Sequence, residues 1–326
     1  RLGRNAAPAG AETLLDALIS ETDEALLASL FAAWNEKGIA EDEIVVIASV
    51  LRHRCLRVTS RHDVFADIVG TGGSLAKTFN VSTAAAFVAA GGGLAIAKHG
   101  NRAATSASGS ADVLEQLGVR PGNGSAERCL NDIGICFMFA PEHHRLSPTL
   151  AKVRRGLGFP TIFNCVGPLC NPAGAPHQLI GVWNAELVPI MANALSRLGT
   201  KRSWIVHGKS GLDEIAISGT TAVAEVNGNS VTQFEIEPEA MSPVRKESEN
   251  IRTSSPAESA ALIRTVLNGH AAGSAAESIV LMNAAAAFYI AGAAPTFSDG
   301  VEMATVSIRS GAASKKLTEL AEATQI

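Results

Sequence analysis

Four clusters of small and polar residues in this 326-residue chain have the types and spacings that bind anions or metal ions. In DIVGTGGSLAKTFNVST, the residues Gly70, Thr71, Gly72 and Gly73 follow a short apolar run, with Thr78, Asn80, Ser82 and Thr83 close behind. Glycines adopt positive φ and let successive N–H groups converge on one concavity, which suits phosphate oxygens. A helix starting at the hydroxyls adds free amide donors and partial positive charge. The alternative is a tight turn without ligand, with Ser82 and Thr83 as helix caps. The run lacks the spacing of a Walker A loop and of a GxGxxG dinucleotide turn.

The second cluster, AIAKHGNRAATSASGSADVLEQLG, sets Lys98, His99, Asn101 and Arg102 after an apolar strand, then Ser106, Ser108 and Ser110. Ligand groups gather at such carboxyl edges of α/β sheets; a solvated loop is the alternative. The third, VHGKSGLDEIAISG, pairs Asp213 with Glu214. Adjacent acids diverge on a helix or strand, so both reach one magnesium ion only from a loop. Mg²⁺ is held by one or two carboxylates plus substrate phosphates. Two surface acids are the plain alternative. The fourth, FAPEHHRLSPTLAKVRRGLGFPTIFNCVGPLCNP, carries His144, Arg154, Arg155, Asn164, Gly167 and Pro168. An arginine fork matches a substrate carboxylate, although the same residues can be the basic face of a helix.

The elements that must position these groups are readable from periodicity. ETLLDALIS, DEALLASLFAAWNEKG and AEDEIVVIASVLRHRCL read as three helices, the second capped by Thr22 and ended by Gly38, the third with acids at its start and basic residues at its end. From VFADIVG onward, FADIVG, LAIAKHG, ICFMFAP, HQLIGVW, RSWIVHG and AVAEVNG read as strands, with helices at 82–90, 110–117 and 187–198 between them. That alternation predicts an α/β fold with a largely parallel sheet covered on both faces. LSPTLAKVRRGLG interrupts it as a helix, followed by the irregular NCVGPLCNPAG. Residues 238–256 read as a polar loop. Two helices follow, the second being AAESIVLMNAAAAFYIAG, and a final helix ends the chain.

Composition narrows the function classes. With 47% hydrophobic residues the chain can bury a full core, and a net charge of −4 argues against a general nucleic-acid binder. Five cysteines (Cys55, Cys129, Cys136, Cys165 and Cys170) lie scattered without CxxC spacing. They predict reduced, buried thiols in a cytoplasmic protein rather than disulfides or zinc ligands. Residues 1–15 contain no apolar core of a signal peptide, and the absence of Met at position 1 points to residues processed or lying upstream. The apolar tract 81–97 is interrupted by Ser, Thr and glycines and predicts helix, turn and strand, not a membrane span.

GTGG…TFNVST, AKHGNRA, SGSADVLEQLG, VRRGLGFPTIFNCVGPLCNP, VHGKSGLDEI and LMNAAAAFYIAG stand in the order seen in anthranilate phosphoribosyltransferases, and the chain resembles that family over essentially its whole length. The family joins phosphoribosyl diphosphate to anthranilate and releases diphosphate, in tryptophan biosynthesis. The resemblance implies a small helical domain, residues 1–64 completed by a helical insertion at about 146–172. It also implies a larger α/β domain, residues 65–145 and 173–326, of the nucleoside phosphorylase and phosphoribosyltransferase type. A homodimer through the helical parts and two Mg²⁺ ions are implied as well. Residue by residue, Gly70, Thr71, Gly72, Gly73, Thr78, Asn80, Ser82, Thr83, Lys98 and Ser106 would bind phosphoribosyl diphosphate. Ser82 would hold one magnesium ion, and Asp213 and Glu214 the other. Gly70, His99, Asn101, His144, Arg154, Gly167 and Pro168 would line the anthranilate site, with Arg154 and Asn101 nearest its carboxylate and amine.

The chain departs from the family pattern near these groups. Ser74 and Leu75 stand where Asp-Gly is usual, and Thr105 and Ala107 fall in a run that usually carries a Lys. Arg145 stands for Pro, and Gly156 for Glu. These positions bear on the acceptor and on efficiency. Three other readings compete, the first being a related phosphoribosyltransferase with another aromatic amine as acceptor. A pyrimidine nucleoside phosphorylase shares the fold and a glycine-rich phosphate loop, but would not need two magnesium ions. A non-catalytic relative could bind nucleic acid through Lys77, Lys98, Arg102, Arg145, Arg154 and Arg155, with salt-dependent retention on heparin as its sign.

Overall fold

The computed structural model describes residues 10–72, 78–103, 108–238 and 251–325. Seven strands form one sheet in the order β3-β2-β1-β4-β5-β6-β7. They are β1 (Phe65–Gly70), β2 (Ala95–Gly100), β3 (Ile135–Phe139), β4 (His177–Gly181), β5 (Arg202–Gly208), β6 (Thr221–Asn227) and β7 (Ser230–Ile236). The first five run parallel, and β6 and β7 turn back antiparallel. All six strands expected from the sequence are present. The seventh, β7, is an additional edge strand; its mostly exposed, polar face hides it from hydrophobic patterning.

The near face of the sheet is covered by helices that are apolar all round, as fully buried helices must be. In α4 (Val81–Gly91), Val81 and every residue from Thr83 to Ala90 is buried, and α12 (Ala275–Ile290) is buried along almost its whole length. Alanines let α4 and α12 lie close together and close to β1. Around them pack α5 (Ser110–Gln116), α6 (Ala126–Ile133), α11 (Pro256–Leu267), α13 (Phe297–Arg309) and α14 (Ala312–Ala323). The C-terminal region therefore holds four helices where the sequence reading has three. Gly300 inside α13 and the exposed Val306 blur its periodicity.

On the far face, α10 (Leu187–Leu198) lies against β5 and β6, and α3 (Glu41–Arg54) lies on α10. With α1 (Ala11–Ser20) and α2 (Glu24–Lys37), these helices bury Leu15, Leu27, Phe31, Ile44, Ile47 and Leu51. The same apolar cluster takes in Leu150, Val153, Ile162 and Phe163 from α8 (Pro148–Gly156) and α9 (Ile162–Val166), and Ile180, Val182 and Ile205 from the sheet. Phe31 meets Phe163 edge-on at 6.0 Å. The N-terminal helices and the 148–169 segment thus form one helical layer continuous with the sheet's far side. Arg52 ties it down, donating from Nε to the Leu169 carbonyl (2.6 Å) and from Nη1 to that of Leu198 (2.7 Å).

Two local expectations need correction. The cap of α2 is Asp23, not Thr22: its carboxylate accepts from the amides of Ala25 (2.9 Å) and Leu26 (3.1 Å), and a charged acceptor at a helix start outperforms a hydroxyl. The segment read as irregular contains α9 and a 3₁₀ turn, Gly167–Leu169. Residues 251–255 are non-helical as expected, with Arg252 bridging Thr78; the rest of that predicted loop, 239–250, lies outside the described residues. Gly156, the last residue of α8, has open space where a side chain would begin.

Candidate active site

The strand order places a crevice at one spot. After β1 the chain builds β2 and β3 on one side, then returns to add β4 and β5 on the other, so the connections at the carboxyl ends of β1 and β4 part company. Such switch points are where open α/β sheets bind ligands. A cavity of about 340 Å³ opens there, between these strand ends and the helical layer.

Fifteen of the expected site residues line it: Gly70, Thr71, Gly72, Thr78, Asn80, Ser82, Lys98, His99, Asn101, His144, Arg154, Gly167, Pro168, Asp213 and Glu214. Thr83 does not. It is fully buried inside α4, and its hydroxyl meets no partner. Gly73 and Ser106 lie outside the described residues, as do Ser74, Leu75, Lys77, Thr105 and Ala107.

The glycine turn works differently from a simple amide cradle. Gly72 has φ +66°, as a turn of this kind requires. Thr71, however, donates both its amide (2.9 Å) and its hydroxyl (3.1 Å) to the Gly181 carbonyl on β4, so these donors serve the fold. Gly70 is needed for space: a Cβ there would come within 2.9 Å of Asp213 Oδ2. Gly181 is tighter still, since its Cβ would sit 1.5 Å from the Asp213 carbonyl oxygen. The two glycines at the ends of β1 and β4 let the Asp213 loop close onto the sheet.

Lys98 reaches under the turn, donating to the Ile68 carbonyl (2.6 Å) and to Ser82 Oγ (3.2 Å). Burial lowers its ammonium to about 8, a fall limited by the charge of Asp67. Burial likewise raises the Asp67 carboxyl to about 6, opposed by Lys98, by Asn171 and by the His99 and Ile68 amides. Asn171 holds Asp67 Oδ2 at 2.8 Å. Asn80 is fixed from behind: its Oδ1 accepts from Ser108 (2.7 Å) and Ser259 (3.0 Å), which leaves its NH₂ to donate forward.

Across the cavity stand α7 (Ala140–His144), α8 and α9. His144 Nε2 and His99 Nε2 are 3.2 Å apart, one donating and the other accepting. Burial holds both imidazoles neutral, His144 down at about 4 and His99 well below its ordinary range. Arg154 lies over the Phe163 ring at 5.2 Å, with a long contact to Asn164 Oδ1 (3.4 Å) and a buried Nε that has no partner among the described residues. Burial lowers it to about 10, so it stays charged at neutral pH, and no carboxylate among the described residues pairs with it. Asn164 also donates to the Thr71 carbonyl (3.0 Å), joining the helical layer to the glycine turn.

Asp213 and Glu214 occupy the loop after β5, as required for both to face one side. Glu214 is pushed well above the usual carboxylate range, by burial first and then by the charge and hydrogen bond of Asp213. Its Oε2 is shielded and has no hydrogen-bond partner among the described residues. Such an acid suits a cation. Among the described residues no three His, Cys, Asp or Glu side chains converge as a self-sufficient metal site, so an ion here would draw on ligand oxygens as well.

The expected basic row is broken. Arg102 is at the rim but is held by Asp112 and Glu115. Arg145 is exposed and outside the cavity lining; it ends α7 with φ +49°, a conformation closed to the proline usual in the resembling family. Reasoning from sequence missed Asp67, Asn171, Ser259 and Asn283, which hold site residues or their neighbours from behind. For Asp67 and Asn283 the one available signal is a polar residue set inside an apolar run.

The family described as "Glycosyl transferase family, a/b domain" matches residues 62–314. An anthranilate phosphoribosyltransferase of Anaeromyxobacter sp. (strain K) is 47% identical over 300 residues, covering 91% of this chain and 88% of that protein. The chain belongs to the anthranilate phosphoribosyltransferase family. A member from Azorhizobium caulinodans is 45% identical over 307 residues, 94% of this chain and 88% of its own. The crystal structure of the Thermus thermophilus anthranilate phosphoribosyltransferase superposes with a TM-score of 0.87 at 37% identity, over 97% of this chain and 95% of that one. The Saccharomyces cerevisiae anthranilate phosphoribosyltransferase in complex with PRPP and Mg superposes at 0.86, with 29% identity over 97% and 92% of the two chains.

Proposed function

We propose that this chain transfers the phosphoribosyl group of phosphoribosyl diphosphate to anthranilate, a glycosyltransferase step of tryptophan biosynthesis. The observation that carries the reading is one cavity with two unlike sides. A lysine, an amide donor and a carboxylate pair face a buried guanidinium that lacks an acidic partner among the described residues. The first side suits a diphosphate with its cation; the second suits a small carboxylate.

In the reaction the bond from C1 of the ribose to the diphosphate breaks, the anthranilate nitrogen bonds to C1, and the amine gives up a proton. Positive charge grows on the ribose and negative charge on the leaving diphosphate. Lys98, with two of its three N–H donors held by Ile68 and Ser82, aims the third at the leaving group. Asn80 donates to the donor substrate from an amide locked by Ser108 and Ser259. Gly70, Thr71, Gly72 and Thr78 shape the surface beneath it; Gly73, Thr83 and Ser106 are carried by the family resemblance alone. Ser82 would hold one Mg²⁺ and Asp213 with Glu214 a second, and the ions supply charge neutralisation to the diphosphate. Arg154 grips the anthranilate carboxylate, Asn101 lies by the amine, and His99, His144, Gly167 and Pro168 wall the acceptor. Anthranilate's amine is neutral and nucleophilic, so these residues position it rather than activate it.

The yeast enzyme's complex with PRPP and Mg supports the donor and the metal. We also propose the division into a helical part, 1–64 with 146–172, and an α/β part, and a cytoplasmic homodimer joined through the helices. Leu14, Leu26 and Leu30 on α1 and α2 are exposed and supply apolar surface suited to that contact.

Anthranilate fluorescence tests the reading. Signal loss with phosphoribosyl diphosphate and Mg²⁺, abolished by chelator, is expected. Arg154→Ala should raise the KM for anthranilate by about 10-fold or more, the loss of a charge-assisted pair, while donor binding persists. Absence of magnesium-dependent turnover would overturn it.

A further inference from the structure

We propose that Asn283 is a positioning residue for the Asp213–Glu214 loop and so governs how tightly the site takes the magnesium–diphosphate end of its substrate. The inference rests on the reading of that pair as metal ligands. Asn283 sits in the middle of α12, 2% exposed, among alanines and large apolar residues. A primary amide in such surroundings is costly unless its hydrogen-bonding groups are used.

They are used mainly on one residue. Asn283 Oδ1 accepts the Ile215 amide (3.1 Å), and Nδ2 donates to the Ile215 carbonyl (3.1 Å) and to the Ile279 carbonyl one turn back (2.8 Å). Ile215 is the residue directly after Glu214, fully buried and outside any strand. The side-chain amide supplies it with the paired donor and acceptor that a neighbouring strand would offer. From the opposite side, Gly70 and Gly181 allow the Asp213 side chain and carbonyl to press on the strand ends. The acid pair is thereby held between two glycines and one asparagine that lies 68 positions further along the chain. Neither the motif in which Asn283 stands nor its burial gives it a role in the chemistry; its hydrogen bonds do.

Three variants separate positioning from mere stability. Asn283→Leu removes all three bonds at similar size. Asn283→Asp keeps the acceptor and removes the donors, which provides a second reading should the leucine variant fold poorly. Val280→Ala, at a fully buried site on the same helix whose apolar side chain makes no hydrogen bond to Ile215, is the stability control. Calorimetric affinity for phosphoribosyl diphosphate with Mg²⁺, without anthranilate, should fall by about 10-fold or more in both Asn283 variants, the range seen when metal ligands lose their supporting hydrogen bonds. The Mg²⁺ concentration for half-maximal rate should rise with it, while the KM for anthranilate changes less than about twofold. Val280→Ala should lower Tm and leave the affinity unchanged. If the Asn283 variants lower Tm like Val280→Ala and bind as wild type does, the role is structural and the proposal fails. If the wild-type protein itself binds no phosphoribosyl diphosphate with Mg²⁺, the functional reading fails and takes this proposal with it.

Discussion

His144 shows how the site's chemistry feeds back on stability. Burial, with a smaller contribution from the charge of His143, holds its imidazole at about 4 against an ordinary 6.5. The folded value is the lower one, so between these limits the unfolded chain binds more protons. Stability is therefore unaffected above pH 6.5 and is lost as pH falls from there towards 4, by about 3 kcal/mol in total. The urea midpoint should drop between pH 7.5 and pH 5, and His144→Asn should flatten part of that fall. Asp67 has the opposite sign: its raised carboxyl is better tolerated when protonated, so its contribution improves as pH falls through 6. An unchanged pH dependence in His144→Asn would show that other groups carry the acid loss. At this scale the sequence displays the residues that face the ligand, because charge and amide density mark them. It conceals those that hold them, since Asp67 in a strand or Asn283 in a helix looks like an isolated exception until the fold brings its partner near.

Strands and helices set the tolerances. At the end of β4, Gly181 leaves room for the Asp213 carbonyl where a methyl group cannot fit. Gly181→Ala should keep the fold, because displacing the loop relieves the overlap. A shift of that size should lower turnover by about 10²-fold. Circular dichroism together with the fluorescence assay checks both halves of that expectation. Element types are largely legible in the sequence: the parallel strands are short, mostly apolar runs, four of the five ended by glycine, and α4, α10 and α12 have clear lengths and ends. What escapes is what patterning does not register. The edge strand β7 is mostly exposed, and the five-residue α9 is too short to show a helical period. The site's position is legible for a related reason, since strand ends in an alternating fold are where ligands collect. Of its opposite wall, α8 is legible as a helix in LSPTLAKVRRGLG, whereas its place across from the strand ends comes from the resemblance.

For the whole molecule the helical layer has two tasks. Its inner side closes the cavity, with Arg154 in the wall across from the strand ends, and the exposed Leu14, Leu26 and Leu30 of α1 and α2 are the patch proposed to join two copies. If the patch joins two copies, light scattering should give about twice the 33.7 kDa of one chain. Leu26→Glu combined with Leu30→Glu should then yield a folded monomer; a wild-type monomer would rule the contact out. All five cysteines are free thiols, and four are buried as two pairs: Cys129 in α6 with Cys136 in β3 in one apolar cluster, and Cys165 in α9 with Cys170 just after the 3₁₀ turn in the other. Burial raises Cys165 and Cys170 to about 12 and Cys136 higher than its ordinary range, so the native fold keeps them unreactive. A thiol reagent can then modify them only during brief excursions that expose each pair. The rates at which the two pairs are labelled would report how often each half of the molecule breathes, from native residues and without an added probe.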